Sequence, residues 1–238
     1  MSATVLGPDG ALPQGDEKAR VVEAMFDRVA PRYERTNRLI SLGLDARWRR
    51  HAIASLGLRG GSSVLDLACG TGDLCRGLAN AGMHPVGIDI SAGMLGMANT
   101  DAPLVRADIL RLAVPNGAVD GVVCGFALRN VVSIDAFFAE CARVLRPGGR
   151  LAVLDASTPE SVFMRFGHSL WFERIVPLIG RLTASDPEAY AYLAKSTAYL
   201  PAPTEVIQRC KDAGFVGVRR TRFLGGSVFL LTATRANA

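Results

Sequence analysis

Glycines and carboxylates recur at the ends of the strands that the sequence predicts, where they could hold a ligand. The segment Val64–Leu74 reads VLDLACGTGDL, a buried strand that runs into a glycine-rich turn and then a helix. Gly70 and Gly72 let the backbone turn sharply and pass close to a ligand that a side chain would block. Because ligands of doubly wound sheets bind beyond the carboxyl ends of the strands, this turn is a candidate binding loop.

Two further aspartates follow the next predicted strands. Asp89 ends the second strand, where a carboxylate can accept hydrogen bonds from both hydroxyls of a ribose. Asp108 follows a short third strand, and we expect it to contact an adenine amino group. Each aspartate alone is explained better by a loop or a helix cap. Together with Asp66 and the Gly-x-Gly turn, however, they predict a class I methyltransferase that binds S-adenosyl-L-methionine.

Dinucleotide-binding proteins use the same region of such a fold, so they are the main alternative for this loop. Their Gly-x-Gly-x-x-Gly fingerprint fails here because its third glycine position holds Cys75. Asp73 also opens the following helix, where its charge would repel a diphosphate but suits the positively charged amino acid end of S-adenosylmethionine. We therefore expect S-adenosyl-L-methionine as the cofactor. Its predicted contacts are Asp66, Gly70, Thr71, Gly72, Asp89, Ile90, Asp108, Ile109 and Gly125.

The rest of the chain predicts the elements that position this loop. Short β-rich runs alternate with helical stretches from residue 62 onward, which is typical of a parallel sheet with helices on both faces. Pro147-Gly148-Gly149 predicts a turn that ends one helix and leads into the next strand. A turn at Gly225-Gly226 makes the last two strands antiparallel. We predict an α/β fold of the class I methyltransferase, Rossmann-like type, a doubly wound and mostly parallel seven-stranded sheet with an antiparallel edge strand.

We divide the chain into a flexible tail, residues 1–17, and a single methyltransferase domain, residues 18–238. Apolar residues at helical spacing predict an N-terminal helical cap over residues 18–60, before the cofactor-binding core at 61–157. Residues 158–203 are predicted to form a helical substrate cap that contains an unusually apolar helix at 161–179. Residues 204–238 are predicted to form a C-terminal helix and a strand pair.

Composition excludes several classes of protein. Of the 238 residues, 49% are hydrophobic and 21% are charged, as in an ordinary globular protein. The N-terminus lacks the basic-then-apolar order of a secretory signal, so we expect a cytoplasmic protein. The five cysteines form no Cys-x-x-Cys pair and only three histidines accompany them, so we predict no metal site.

The net charge of +5 is concentrated in one N-terminal segment, because residues 18–59 carry ten basic and four acidic side chains. Such a segment suits an anionic membrane surface or an acidic ligand, and equally a solvated helix face. We expect no nucleic acid partner, since the chain has no basic tract with interleaved aromatic residues for base stacking. A nucleic-acid methyltransferase or a non-catalytic cofactor-binding module is therefore a remote alternative.

Blocks outside the cofactor loop carry more specific information. They read MFDRVAPRYERTNRLISLGLDARWRR (Met25–Arg50), GFALRNV (Gly125–Val131), RVLRPGGRLAVLD (Arg143–Asp155) and YAYLAKSTAYLP (Tyr190–Pro201). Together with the cofactor loop, they resemble the ubiquinone/menaquinone biosynthesis C-methyltransferases over almost everything from residue 22 to residue 233. The cofactor loop is shared by many methyltransferases, whereas the N-terminal block and the Arg-Asn pair are specific to this family.

The resemblance implies methyl transfer to a ring carbon of a demethylated prenyl quinol, of the demethylmenaquinol-to-menaquinol type. It implies that Arg129 stabilises the developing phenolate and orients a water, while Asn130 hydrogen-bonds the other quinol oxygen. Because arginine stays protonated, the phenol proton goes either to that water or to the carboxylate of Asp155, and both alternatives are open. Tyr33 is expected to reach over the site and contact the acceptor or the cofactor.

The chain also departs from the family pattern, at Glu34, Thr36, Gly125 and Ala156, where the family usually has Asp, Met, Ser and Phe. These departures leave open a related enzyme that methylates a phenolic or polyketide natural product. The apolar helix at 161–179 is compatible with a wall around a prenyl tail, a surface docked on a bilayer, a homodimer interface or plain core. We expect a prenylated quinol or related phenolic small molecule as partner, and leave peripheral membrane contact and a homodimer open.

Overall fold

Seven strands form a single sheet in the computed structural model, which describes residues 13–159, 189, 192 and 195–237. The strands are β1 (Ser63–Leu67), β2 (His84–Asp89), β3 (Leu104–Arg106), β4 (Val119–Gly125), β5 (Leu145–Ala156), β6 (Phe215–Phe223) and β7 (Val228–Arg235). Their order across the sheet is β3-β2-β1-β4-β5-β7-β6. Strands β1 to β5 pair in parallel, and β7 runs antiparallel to both of its neighbours. The predicted mostly parallel, seven-stranded sheet with an antiparallel edge is therefore confirmed, and the reversed strand is second from that edge.

Seven α-helices lie within the described part of the chain. They are α1 (Gly15–Val29), α2 (Tyr33–Ile40), α3 (Leu44–Leu56), α4 (Asp73–Asn80), α5 (Ala92–Gly96), α6 (Ile134–Val144) and α7 (Pro203–Asp212). Among these helices, none is long and apolar enough to cross a membrane. Helix α1 already begins at Gly15, inside the last residues of the predicted tail. The apolar run at 161–179 lies outside the described residues.

The predicted turn at Pro147-Gly148-Gly149 is wrong as the point where the helix ends and the strand begins. The helix ends at Val144, and the strand begins directly at Leu145. Leu145 is buried, has an extended backbone and pairs with Val119, so tertiary packing ends the helix before the turn residues are reached. The three turn residues lie inside β5, next to a register shift in its pairing with β4.

Helix α5 spans only five residues. It ends at Gly96, and the amide of Asn99 donates to the carbonyl of Thr71 at 3.1 Å instead of continuing the helix. The chain is thus drawn back onto the glycine-rich turn by a backbone contact that no local periodicity encodes.

Two apolar cores hold helices against opposite faces of the sheet. On one face, Trp48 and Leu56 of α3 pack with Leu74 and Leu78 of α4 against the sheet. On the other face, Phe137 and Phe138 of α6 are fully buried in the larger cluster. Burying each such side chain stabilises the fold by roughly 1.5–3 kcal/mol. A third, smaller cluster joins Val21, Val22, Met25 and Val29 of α1 to Ala189 and Tyr192.

Candidate active site

A cleft opens at the carboxyl ends of the central strands, where the strand order reverses between β1 and β4. Such a switch point is where open α/β sheets bind their ligands. The cleft holds about 820 Å³, part of it open to solvent, and its lining is mainly apolar. The predicted residues that line it are Gly70, Asp89, Ile90, Asp108, Ile109 and Gly125 of the cofactor set, and Tyr33 and Asn130 of the acceptor set.

Asp89 at the end of β2 is the buried carboxylate of the cleft. One of its oxygens accepts the Gly70 amide at 2.8 Å, and the other accepts the Ser91 amide at 2.9 Å. Burial raises the pKa of Asp89 above its usual value, while these two N–H donors act in the opposite direction. The carboxylate is thereby aimed by the glycine-rich turn itself, and each oxygen keeps a lone pair for a ligand hydroxyl.

The two glycines of the turn serve different purposes. Gly70 lines the cleft at a φ of +56°, and a Cβ there would lie 3.0 Å from Cε of Met94. Gly72 has a φ of +84°, and a Cβ there would lie 2.7 Å from Cγ2 of Thr100, on the side away from the cleft. Gly72 therefore permits tight packing behind the turn, whereas Gly70 permits close approach of a ligand.

Asp66 and Thr71, both predicted to contact the cofactor, are buried and do not line the cleft. Oδ2 of Asp66 accepts the Cys75 thiol at 3.2 Å, and Oδ1 has no hydrogen-bond partner among the described residues. Burial raises the pKa of Asp66 to about 7. A fully buried carboxylate with one unpaired oxygen is costly, which is typical of a group that serves a ligand rather than the fold.

Asp73, which the sequence placed beside the cofactor, is neutralised by two arginines. Arg76 on the next helical turn pairs with one of its oxygens, and Arg49 of α3 lies 3.6 Å from the other. Its carboxylate therefore joins α3 to α4, in addition to opening α4.

Arg129 and Asp155, the predicted catalytic pair, lie beside the cleft but do not line it. Nη1 of Arg129 pairs with Asp155, its backbone N–H donates to the same carboxylate at 2.9 Å, and Nε donates to Ser196 at 3.0 Å. Both side chains are buried. Asp155 also accepts the Ala156 amide at 2.7 Å, so both of its oxygens already serve as acceptors.

Asn130 lines the cleft and carries a side-chain donor that is unused among the described residues. Its Oδ1 accepts the Tyr192 hydroxyl at 3.3 Å, whereas its Nδ2 is buried and has no partner in the residues that the structure describes. Tyr33 lines the same cleft from the start of α2, with its ring edge-on to Phe26. Burial raises the pKa of Tyr33, so its phenol remains protonated near neutral pH and can donate a hydrogen bond.

Helix α1, most of which falls in the segment predicted as an N-terminal helical cap, lies at the cleft through contacts that sequence analysis did not predict. Its Val22 and Phe26 line the cleft, and Asp27 accepts hydrogen bonds from Ser91 Oγ at 2.5 Å and the Gly93 amide at 2.8 Å. At its other end, Lys18 is buried and donates to two backbone carbonyls of the Arg129 loop. The sequence did contain one indication that Lys18 is buried, because Lys18 occupies the apolar stripe that continues through Val22, Met25 and Val29.

The comparisons with known proteins agree with this geometry. The model of the ubiE/COQ5 methyltransferase family matches residues 14–235. The chain belongs to this family. The resemblance drawn from the sequence blocks and the predicted enzyme class, a methyltransferase, are thereby confirmed.

Members of the ubiE/COQ5 family and more distant methyltransferases resemble the chain over most of its length. A demethylmenaquinone methyltransferase of Roseiflexus castenholzii is 40% identical over 215 residues, covering 87% of this chain and 90% of the relative. Another from Mycolicibacterium vanbaalenii is 42% identical over 216 residues, covering 90% and 95%. A chain in the solved complex between the Haloferax volcanii Trm112 methyltransferase activator and a methyltransferase covers 89% of this chain and 98% of its own, with a TM-score of 0.66 and 19% identity. That structural likeness shows the fold.

The departures from the family pattern lie mostly outside the cleft. Glu34 faces Arg76 at 3.4 Å, and Thr36 is buried with its hydroxyl donating to the carbonyl of Arg32. Gly125 alone lines the cleft, and a Cβ there would lie 2.8 Å from Cδ1 of Leu74. A serine at this position would therefore require Leu74 to shift, so the glycine matches its local packing.

Proposed function

We propose that this protein transfers a methyl group from S-adenosyl-L-methionine to a ring carbon of a demethylated prenyl quinol, of the demethylmenaquinol-to-menaquinol type. The observation that carries the proposal is one apolar cleft with the Asp89 carboxylate and the unpaired Asn130 amide in its lining. This cleft lies in a chain about 40% identical, over nearly full length, to demethylmenaquinone methyltransferases. A nucleoside and a ring with an oxygen substituent match those two polar groups.

The residues of the cleft fit S-adenosylmethionine. Asp89 would accept both ribose hydroxyls, and its burial strengthens such charge-assisted hydrogen bonds. Ile90 and Ile109 offer apolar faces to an adenine, and the exposed Asp108 would accept its amino group. The unpaired oxygen of Asp66 beneath the turn supports a role toward the positively charged amino acid end, at the ligand-binding edge of the sheet.

The cofactor, when bound, supplies a methyl group on a positively charged sulfur, which needs no further activation. The protein must then orient the acceptor and exclude water, and alignment of this kind accounts for roughly 7–11 kcal/mol of a barrier. The Nδ2 group of Asn130 would donate a hydrogen bond to a quinol oxygen, and the Tyr33 hydroxyl would donate another from the start of α2. Helix α1 closes the cleft against solvent with Val22 and Phe26.

The ring carbon becomes nucleophilic when its neighbouring phenol, with a pKa of about 10, gives up its proton. The geometry favours a water over Asp155 as the acceptor of that proton. Asp155 is fully buried, does not line the cleft and pairs with the guanidinium of Arg129, so taking up a proton would abolish the negative charge on which this ion pair depends. We therefore propose that Asp155 holds Arg129, and that the buried positive charge of Arg129 stabilises the phenolate through space.

The alternative acceptor, a phenolic or polyketide natural product, has less support. It rested on the four departures from the family pattern, and Glu34 and Thr36 contact other parts of the fold instead of the cleft. Gly125 is explained by its contact with Leu74.

We also propose peripheral contact with an anionic membrane, where a prenylated quinol would be found. One face of α2 and the following turn carries Arg35, Arg38, Leu39 and Leu42, spaced i, i+3, i+4 and i+7, and all are exposed. Leu42 is 71% exposed and holds a φ of +52°, which is unusual for a leucine. Each basic residue near an anionic surface contributes about 1 kcal/mol. Tyr33 begins the same helix, which is about 12 Å long, so the helical part of this face lies within about 12 Å of the cleft along α2.

The acceptor is tested with labelled S-adenosylmethionine and demethylmenaquinol under reducing conditions, with the product ring analysed for label. We expect label on the ring carbon. No label in the ring, together with transfer to another phenol, would overturn the quinol proposal.

Membrane contact is tested by vesicle flotation with phosphatidylcholine alone or mixed with phosphatidylglycerol. We expect the wild type to bind only the anionic vesicles and Leu42→Ser to lose this binding. The control is Leu224→Ser, at another exposed leucine on the β6–β7 turn, and it should bind as the wild type does. Equal binding by both variants would contradict the assigned face.

A further inference from the structure

Lys18 on α1 is a buried lysine whose contacts include no carboxylate in the described part of the chain. Only 5% of it is exposed. Its Nζ donates to the carbonyl of Arg129 at 3.0 Å and to the carbonyl of Val131 at 2.8 Å. The ammonium also lies 3.6 Å from the centroid of the Tyr199 ring. Two carbonyls and an aromatic face thus replace water around this cation.

The two carbonyls flank Asn130, a residue that lines the cleft. They belong to the 3-10 turn Leu128–Asn130 and the residue after it, where the last carbonyls of a helical turn lack partners of their own. Lysine is suited to this position because it supplies both donors and a positive charge at the negative end of the turn. The backbone on either side of Asn130 is therefore fixed by a side chain from α1.

Resting on the proposed function, we infer that Lys18 is a positioning residue for the methyl acceptor. It fixes the backbone of Arg129 and Val131 so that Asn130 keeps its place in the lining of the cleft, where its unpaired Nδ2 would donate to a quinol oxygen. It does not line the cleft, so it acts through Asn130 and the loop.

The energetics distinguish this role from simple packing of α1. Burial lowers the pKa of Lys18 to about 8, and the charge of Arg129 acts in the same direction. An apolar side chain of equal length would fill the space without this penalty. The ammonium is therefore retained for its hydrogen bonds, since those are what a methionine in its place could not make.

The same helix reaches the cofactor end of the cleft. Asp27 accepts hydrogen bonds from Ser91 and Gly93, next to the Asp89 carboxylate. Lys18 and Asp27 are nine residues apart on α1, which is about 14 Å along the helix. One rigid element thus joins the loop that would hold the ribose to the loop that would hold the acceptor.

The test compares Lys18→Met, Lys18→Arg and a control, Arg20→Met, on the full-length protein. Arg20 is exposed on the same helix, and the hydrogen bond that it makes among the described residues runs to the carbonyl of Asp16 in its own helix. With Lys18→Met we expect kcat for demethylmenaquinol to fall by about 10- to 100-fold, the effect of a small misplacement of a reacting group. The affinity for S-adenosylhomocysteine should stay close to that of the wild type. Lys18→Arg should recover part of kcat, and Arg20→Met should leave it unchanged.

The inference is overturned if Lys18→Met turns over as fast as Arg20→Met, if Lys18→Arg is no better than Lys18→Met, or if cofactor affinity falls in parallel with kcat. Hydrogen exchange gives a readout that does not depend on the acceptor. The amides of Arg129 and Asn130, which donate to Asp155 and Ala127, should exchange at least about 10-fold faster in Lys18→Met. Unchanged exchange would also overturn it. Absence of methyl transfer by the wild type would instead refute the proposed function.

Discussion

Arg129 donates to the carboxylate of Asp155 from its backbone N–H and from its guanidinium at the same time. This arrangement closes the loop after β4 onto the end of β5 and fixes the side chain of Arg129 away from the cleft. A buried ion pair of this kind contributes little net stability, yet removing one partner leaves the other charge uncompensated. The pair therefore links the architecture of the site to the folding of the domain.

A double-mutant cycle on this pair tests that link. We expect Arg129→Met and Asp155→Asn each to lower the free energy of unfolding by about 3–5 kcal/mol, because each leaves a buried partner unpaired. The double variant should lose less than the sum of the two, since no isolated charge remains. Urea unfolding followed by circular dichroism measures all four proteins. Additive losses would show that the two groups do not depend on each other.

The Asp89 carboxylate should dominate cofactor affinity. Asp89→Asn removes the charge while keeping the shape, and we expect the affinity for S-adenosylhomocysteine to fall by about 100-fold or more, since hydrogen bonds to a charged group contribute about 1.5–3 kcal/mol each. Asp108→Asn should cause a smaller loss because Asp108 is exposed and one of its oxygens already accepts the Leu110 amide. Asp101→Asn, on an exposed loop, serves as the unaffected control. Titration calorimetry compares them, and equal affinities for Asp89→Asn and wild type would contradict the site.

The sequence predicted those parts of the fold and site that local patterns encode. Strand–helix alternation defined the sheet, and Gly70 and Asp89 could be placed because Gly70 lies in the turn after β1 and Asp89 ends β2. Contacts between distant segments were not predictable, and the bonds of Lys18 to a loop 111 residues away belong to this class.

Side-chain direction was a second obstacle. Asp66 lies in β1, which is buried on both faces beyond its first residue, so alternation could not show that its carboxylate points beneath the turn. The other expectations for the cofactor contacts, the catalytic pair, the membrane face and a homodimer remain predictions. So do the roles assigned to residues 161–179, which lie outside the described chain.

The buried Asp66 should make the stability of the protein depend on pH. Its pKa is raised from an unfolded value of 3.8 to about 7, so the folded state binds more protons than the unfolded state between those values, and stability falls as pH rises through this window. Asp66→Asn removes this dependence. We expect the unfolding free energy of Asp66→Asn, relative to that of the wild type, to increase by roughly 2–3 kcal/mol between pH 5 and pH 8. The affinity of this variant for the cofactor should decrease. Urea unfolding at both pH values measures the change in unfolding free energy, and a relative value that falls toward pH 8 would contradict the sign.

Two glycines of α5 provide a matched test of how closely α1 must approach the cleft. A Cβ on Gly93 would lie 2.9 Å from Cα and 3.0 Å from the carbonyl oxygen of Asp27, whereas a Cβ on Gly96 would meet nothing within 4 Å. Gly93→Ala must therefore push α1 outward, because the obstacle is backbone that cannot rotate away. Gly96→Ala should instead stabilise α5 by up to about 1 kcal/mol through its helix propensity.

Displacement of α1 should reach the ligand, since Val22 and Phe26 of this helix line the cleft and Asp27 bonds the loop beside Asp89. We expect Gly93→Ala to lower the thermal unfolding midpoint and to weaken S-adenosylhomocysteine binding by about 10-fold, the loss of one such hydrogen bond. Gly96→Ala should raise the midpoint and leave binding unchanged. Calorimetry on both variants measures the unfolding midpoint and the affinity for S-adenosylhomocysteine. Wild-type affinity in Gly93→Ala would mean that the position of α1 plays no part in holding the cofactor.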